Sequence, residues 1–135
     1  MHLAWKQRLP DGREVIVHRK GATPAAQGQL GIIPGSMADP GCVVRGKGHP
    51  DALESASHGS GRRMGRKQAE RELSRAAMNH DLKEREITLI GGGVDEAPQV
   101  YKNIDNVIAC QADLVDVIAK FTPRVVRMDT GKEDI

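Results

Sequence analysis

Large rings are nearly absent from this chain, which has one tryptophan, one tyrosine and one phenylalanine, 2% of 135 residues. Aromatic side chains ordinarily carry much of a core, so any core must be built from Val, Ile, Leu, Met and Ala. A piece of a larger core would have the same composition. Cysteine is scarce too. Cys42 and Cys110 stand far apart and in no CxxC pair, which argues against a disulfide framework and a zinc knuckle. No basic segment followed by an apolar run opens the chain, so no signal peptide is read. No stretch is long and apolar enough to span a membrane, and a cytoplasmic protein is the expectation. Neither sign of charge dominates: 20 basic residues face 18 acidic ones, a net of +2, which does not mark a general nucleic-acid binder. Arg62, Arg63, Arg66 and Lys67 do cluster. Such a group can bind phosphate locally or merely solvate the start of a helix.

What is present reads as an α+β mixture of short strands, two main helices and long Gly-rich loops, without regular βαβ alternation. Pro10-Asp11-Gly12 is a turn signal inside a hairpin over residues 3–18, whose second strand, Glu14 to His18, is rich in β-branched residues. Residues 19–41 are rich in Gly and Pro and read as ordered loop, interrupted by a short strand at Leu30 to Ile33. Gly41 to Gly46 is another strand candidate, and residues 47–65 return to loop. Arg66 to His80 carries Ala69, Leu73, Ala76 and Ala77 at helical spacing. A strand at Glu86 to Ile90 is stopped by the turn Gly91-Gly92-Gly93. A second helix is expected from about Gln99 to Phe121, with Ile104, Val107, Ile108, Leu114, Val115, Ile118 and Phe121 as its apolar face. Pro123 stops it, and Arg124 to Met128 reads as a final strand. If the chain is a piece of a larger core, Val15, Val17, Ile32 and Ile33 should be exposed.

The segment with the most chemistry is Ser55-Ala56-Ser57-His58-Gly59-Ser60-Gly61-Arg62. His58 lies on no periodic apolar face. Glycines let a backbone approach a bound group, successive N–H groups before a helix favour an anion, and arginine clamps phosphate. A neutral imidazole beside such a cradle can attack phosphorus. The same residues also read as a glycine-rich turn with His58 at the surface. Pro34-Gly35-Ser36-Met37 follows a short apolar strand and is a second candidate loop. His18, His49 and His80 have no metal-ligand spacing and read as surface or structural residues.

Three segments occur in order and at close spacing: 18–25 (His-Arg-Lys-Gly-Ala-Thr-Pro-Ala), 31–37 (Gly-Ile-Ile-Pro-Gly-Ser-Met) and 57–62 (Ser-His-Gly-Ser-Gly-Arg). Together they resemble the RtcB family of RNA ligases. Asp95-Glu96-Ala97-Pro98, Tyr101 to Asp105 and Pro123 to Met128 agree, so the resemblance covers about residues 2–128. It implies that residues 1–128 form the C-terminal part of an RtcB-like domain, with 129–135 a polar tail. It also implies a reaction. The family histidine attacks the α-phosphate of GTP, pyrophosphate leaves, and the resulting histidine–GMP passes its GMP to an RNA 3′-phosphate. A 5′-hydroxyl then joins and GMP departs, a 2′,3′-cyclic phosphate having first been opened. Two Mn2+ ions organise the phosphates. By matching position His58 is the nucleophile, and Pro34, Gly35, Ser36, Met37, His58, Gly59, Ser60 and Gly61 are the nucleotide-binding positions. Lys20 and Arg62 match phosphate-facing positions, and RNA ends are the implied partner.

The departures are as informative. The family's metal ligands lie mainly N-terminal to the part matched, so a partner segment is expected to supply them. Without a gap, the last ligand position falls at Met1. His2 is one residue out of register, and a single His cannot hold two Mn2+ ions. No metal ligand is therefore expected in the chain, and alone it is expected to be inactive. A family serine that contacts nucleotide falls at Gly41, and a C-terminal lysine meets Asp129, with Lys132 the nearest stand-in. Gly65 replaces a serine that would cap the helix at Arg66. The other readings are a non-enzymatic remnant, or a guanine-nucleotide or phosphate-binding module.

Overall fold

The computed structural model describes residues 4–129. The expected hairpin forms from β1 (Ala4–Arg8) and β2 (Glu14–His18), antiparallel with Trp5 opposite Val17. Gly12 takes φ +87°, and the Asp11 carboxylate accepts from the Arg13 backbone N–H at 3.0 Å, which closes the turn. Next come β3 (Ala22–Pro24), β4 (Leu30–Ile33), β5 (Gly41–Gly46) and β6 (Ser55–Ser57). The first and last of these, three residues each, pair antiparallel. Both lie in stretches expected to be loop.

The helix expected over 66–80 is two helices, α1 (Arg66–Glu72) and α2 (Arg75–Glu84). Leu73 leaves the helix in an extended conformation, and Ser74 caps the second one, its side chain accepting from the Ala77 N–H at 3.3 Å. Serine favours this cap over a helix interior. The first helix starts at Gly65 with no side-chain cap, as the missing serine implies. β7 (Thr88–Gly91) follows.

The largest correction concerns residues 99–121. Only Ile104–Ala109 is helical there, as α3, capped by the Asn103 side chain. Residues Val115–Phe121 form β8 instead, and β9 (Val125–Arg127) closes the described chain. Helical spacing across the whole window is an accident of two short apolar runs joined by the turn at 110–114. The second run is rich in β-branched residues and pairs antiparallel with Gly41–Gly46, making the three-stranded sheet β4-β5-β8. β7 and β9 pair in parallel.

The interior divides in two. Ile33, Cys42, Val44, Ala56, Ile104 and Val115 make one core under the three-stranded sheet. Met37, Ala69, Met78, Leu82, Ile87 and Val100 make the other, under the helices. Both are built without a buried ring, as the composition requires. The expected exposure holds only in part. Ile32 is 57% exposed, whereas Val17 (3%) and Ile33 (0%) are buried and Val15 is half-buried. Strand alternation decides this, since successive side chains face opposite ways. Leu30 and Ile32 face out from β4 while Ile33 faces the core, and Phe121 adds a further exposed apolar side chain.

Candidate active site

The chain passes repeatedly between the two cores, and three of these crossings build the site. Ile33 belongs to one core and Met37 to the other, with Pro34-Gly35-Ser36 between them. Ala56 and the half-buried Met64 bracket the second crossing, Val100 and Ile104 the third. At the first crossing the Ser36 hydroxyl accepts from the Ala38 and Asp39 N–H groups (3.2 and 3.1 Å) and donates to the Asp39 carboxylate (2.7 Å). That hydroxyl makes the turn and is not free for a ligand. Gly35 is required by packing, because an added Cβ would lie 2.5 Å from the Pro40 carbonyl oxygen.

His58 stands at the end of the β3–β6 ladder, its N–H donating to the Gly21 carbonyl at 3.3 Å. The preceding residue is clamped by the buried Gln111. The Gln111 amide oxygen accepts from the Ser57 N–H at 2.7 Å, and its amide nitrogen donates to the Ser57 hydroxyl at 2.8 Å. The imidazole itself is exposed and has no hydrogen-bond partner among the described residues. Gly61 sits at φ +76°, a conformation that suits glycine. Gly59 is different. A Cβ there would meet only the Pro34 carbonyl oxygen, at an ordinary 3.7 Å. The fold does not need this glycine, and the space beside it is open.

The loop from His58 to Gly61 is a wall shared by two cavities. The first, about 750 Å³, is completed by Pro34 to Met37, Arg62, Tyr101 and the segment from Phe121 to Met128. The second, about 780 Å³, is completed by Gly21, Arg63, Lys102 and residues of α3. Ser60 borders both. It is 3% exposed, and its hydroxyl oxygen is buried without a partner among the described residues. Buried polar atoms are nearly always hydrogen-bonded, so an unpartnered one on a cavity wall fits a polar ligand.

Arg62 borders the first cavity, but its donors point inward. Nε donates to the Met64 carbonyl (3.2 Å), Nη2 to the Asp95 carbonyl (2.6 Å), and Nη1 to Glu96 and the Tyr101 hydroxyl (3.3 and 3.5 Å). Arg66 reaches Asp95 (2.5 Å) and Glu96 (2.6 Å). The Tyr101 hydroxyl donates to Glu96 as well. Burial, and then the adjacent Glu96 carboxylate, pushes the Tyr101 phenol up to about 12. Lys20 is exposed and borders neither cavity. Thus the structure brings together Pro34–Met37 with His58–Arg62, and leaves Lys20 apart. His2 and Lys132 lie outside the described residues.

A sequence profile described as tRNA-splicing ligase RtcB matches residues 2–129. The chain belongs to the RtcB family. It is 42% identical over 113 residues to RNA-splicing ligase RtcB1 of Escherichia coli ATCC 25922, covering 84% of this chain and 28% of that protein. It is 44% identical over 107 residues to RNA-splicing ligase RtcB of Escherichia coli K12, covering 79% and 26%. With the tRNA-splicing ligase RtcB of Thermococcus kodakarensis the identity is 32% over 136 residues, covering 84% and 28%. The chain therefore spans roughly a quarter of the length of these RtcB relatives.

Against the RtcB pattern, the glycine at position 41 has a local reason. A Cβ there would fall 2.1 Å from the ring of Phe121, so a serine at this position would require that exposed ring to move. Sequence reasoning misses Gln111, which lies in a window of helical apolar spacing, and the part Glu96 plays in holding Arg62. It also passes over Lys102 as a cavity residue, while Arg63 enters only as a member of the basic cluster that can bind phosphate. Mn2+, which the resemblance implies, does not fit the described residues, among which no three His, Cys, Asp or Glu side chains converge. Cys42 is buried and its thiol is pushed up by that burial, which disfavours the thiolate a metal needs. Among the described residues, no helix is long and apolar enough to cross a membrane.

Proposed function

We propose that this chain forms the nucleotide-accepting part of a GTP-dependent RNA ligase, with His58 as the group that takes GMP. An imidazole nitrogen of His58 attacks the α-phosphorus. The bond to the bridging oxygen breaks, pyrophosphate leaves with that electron pair, and the ring loses a proton to solvent. GMP then passes to an oxygen of an RNA 3′-phosphate, which frees the ring. Attack by an RNA 5′-hydroxyl expels GMP and releases the hydroxyl proton. A 2′,3′-cyclic end is opened to the 3′-phosphate beforehand. In this reading Pro34 to Met37 and Gly59 to Gly61 hold the guanine nucleotide through their backbone. Arg62 fixes the loop from within rather than gripping a phosphate, and Lys20 has no assigned contact.

One observation carries the reading. An exposed histidine ring without a hydrogen-bond partner borders a cavity whose other wall is the Pro34–Met37 loop, beside an unpartnered buried hydroxyl on Ser60. Gly59→Ala tests it, because the fold has room for that methyl and the proposed ligand does not. Its unfolding midpoint is expected to match the wild-type chain, while affinity for GTP by titration calorimetry falls by at least ~10-fold, about 1.4 kcal/mol. Unchanged affinity would remove the nucleotide from this cavity. A second reading, nucleotide binding without chemistry by the chain alone, is favoured by the lack of a converging ligand set for Mn2+ among the described residues.

A further inference from the structure

We propose that the second cavity is a cleft for the phosphodiester backbone of the RNA strand being joined, with Arg63 and Lys102 as its phosphate contacts. The proposal rests on the ligase reading above and adds where the strand lies.

The geometry begins with an antiparallel bridge between Arg62 and Tyr101. Arg63 N–H donates to the Val100 carbonyl at 2.8 Å, and Lys102 N–H donates to the Gly61 carbonyl at 2.9 Å. Side chains alternate across such a ladder. Arg62 and Tyr101 therefore face the first cavity, while Arg63 and Lys102 face the second. The partition also sorts the charges. Arg62 and Arg66 are occupied by Asp95 and Glu96. Arg63 and Lys102 have no ion pair or side-chain hydrogen bond among the described residues. Among the described residues no Asp or Glu lines the second cavity, whose wall carries the Arg63 and Lys102 charges.

The remaining lining suits the same ligand. Asn103 and Asn106 add amide groups, and the Asn103 oxygen is already used by the Asp105 and Asn106 N–H groups (2.9 and 3.2 Å), which leaves its NH2 to donate. The buried Ser60 hydroxyl, without a partner, is on the wall shared with the first cavity. Among the described residues no Phe, Tyr or Trp lines the cleft, and its one ring is the His58 imidazole, which the ligase reading assigns to GMP, so recognition falls on the backbone, without sequence preference. At about 780 Å³ the cleft lies within the usual range of ligand sites, roughly 300–1,000 Å³. His58 borders both cavities. A strand in the second would thus present its 3′-phosphate to a GMP held from the first.

The test is fluorescence anisotropy of a labelled single-stranded RNA of about ten nucleotides ending in a 3′-phosphate, titrated with the 135-residue chain across a range of KCl. Arg63→Ala/Lys102→Ala is compared with Arg71→Ala/Lys83→Ala, which removes two exposed cations away from the cleft. Each phosphate contact to a single strand contributes about 0.7 to the log–log salt slope. The first variant is therefore expected to lower the slope by about 1.4 and to weaken binding by roughly tenfold or more at low salt. The control should follow the wild type. Affinity for GTP, measured by calorimetry, should be unchanged in both. Equal RNA binding by the two variants, or a wild-type chain that binds no RNA, overturns the cleft while leaving the nucleotide cavity standing. Loss of GTP affinity in Arg63→Ala/Lys102→Ala, with RNA binding kept, assigns the cleft to the nucleotide's phosphates and overturns it too. A wild-type chain that binds RNA but no guanine nucleotide sinks the ligase reading instead.

Discussion

Incubated with α-labelled GTP and Mn2+ and run on a denaturing gel, the 135-residue chain alone is expected to carry no radioactive band. Supplied with a second polypeptide covering the part of the Escherichia coli relative that this chain does not match, it is expected to label at His58. His58→Ala should then abolish the label. The reasoning is electrostatic. Attack on an α-phosphate moves electron density toward a centre already surrounded by anionic oxygens, and pyrophosphate leaves with further charge. Three arginines border the proposed nucleotide cavity, and all are engaged: Arg62 is turned inward and shared with Glu96, Arg66 is bound by Asp95 and Glu96, and Arg124 is paired with Glu86. Arg63 and Lys102 border the other cavity. Loop N–H groups and arginines already paired with carboxylates can bind an anion, but they do not offset charge that develops only in the transition state. A deficit of about 4 kcal/mol slows the step by roughly a thousandfold, and divalent ions ordinarily supply several kcal/mol at such a centre. A band from the chain alone that survives denaturation and disappears in His58→Ala would show that its own cations suffice.

The site is more legible in the sequence than the fold around it, for a physical reason. A candidate anion site lined by backbone is written locally, as glycines and a small polar residue beside a reactive group, so His58 to Gly61 can be singled out by residue type, whereas Pro34 to Met37 alone reads as an ordinary Pro-Gly turn and gains weight only beside the other segments. The hairpin is legible for a similar reason, since Pro10-Asp11-Gly12 specifies its own turn. Residues 22–24 and 55–57 form strands only because each pairs with the other. Nothing within three residues announces a partner more than thirty positions away. The window 99–121 misleads through apolar spacing that fits a helix, while pairing with Gly41–Gly46 decides the outcome for its second half. Arg62 misleads differently. Its type and place suggest a phosphate clamp, but whether its donors are free depends on Glu96 and Asp95, more than thirty residues away.

That carboxylate should matter to stability as much as His58 does to chemistry. Glu96→Ala is expected to destabilise the chain by about 3 kcal/mol, since removing one member of a buried charged cluster leaves its partners uncompensated. In thermal unfolding this corresponds to a midpoint lower by roughly 10 °C. The Glu96 side chain is only 6% exposed and receives Arg62, Arg66 and the Tyr101 hydroxyl. Arg62 keeps a half-buried position over the Tyr101 ring, 5.4 Å from its centroid, so the alanine variant strands a cation and a phenol in one place. Glu96→Gln keeps the shape and an acceptor but loses the charge, and should cost less than half as much, because the neutral hydrogen bonds survive. The same cluster predicts an alkaline limit. Burial, and then the Glu96 carboxylate, pushes the Tyr101 phenol up to about 12 in the folded chain, above its ordinary value near 10. Its protonated form is therefore preferred in the native state. The associated stability is fully present below about pH 10 and is lost as pH rises through 12. Urea midpoints measured between about pH 9 and 12 should fall more steeply for the wild type than for Tyr101→Phe, which lacks the titrating group. Parallel curves would mean that neither burial nor Glu96 favours the protonated phenol, and would weaken the case that this carboxylate organises the wall of the proposed nucleotide cavity. A steeper fall in the wild type, together with the large loss in Glu96→Ala, would mark the cluster of Glu96, Arg62 and Tyr101 as a stabilising anchor directly behind the loop that carries His58.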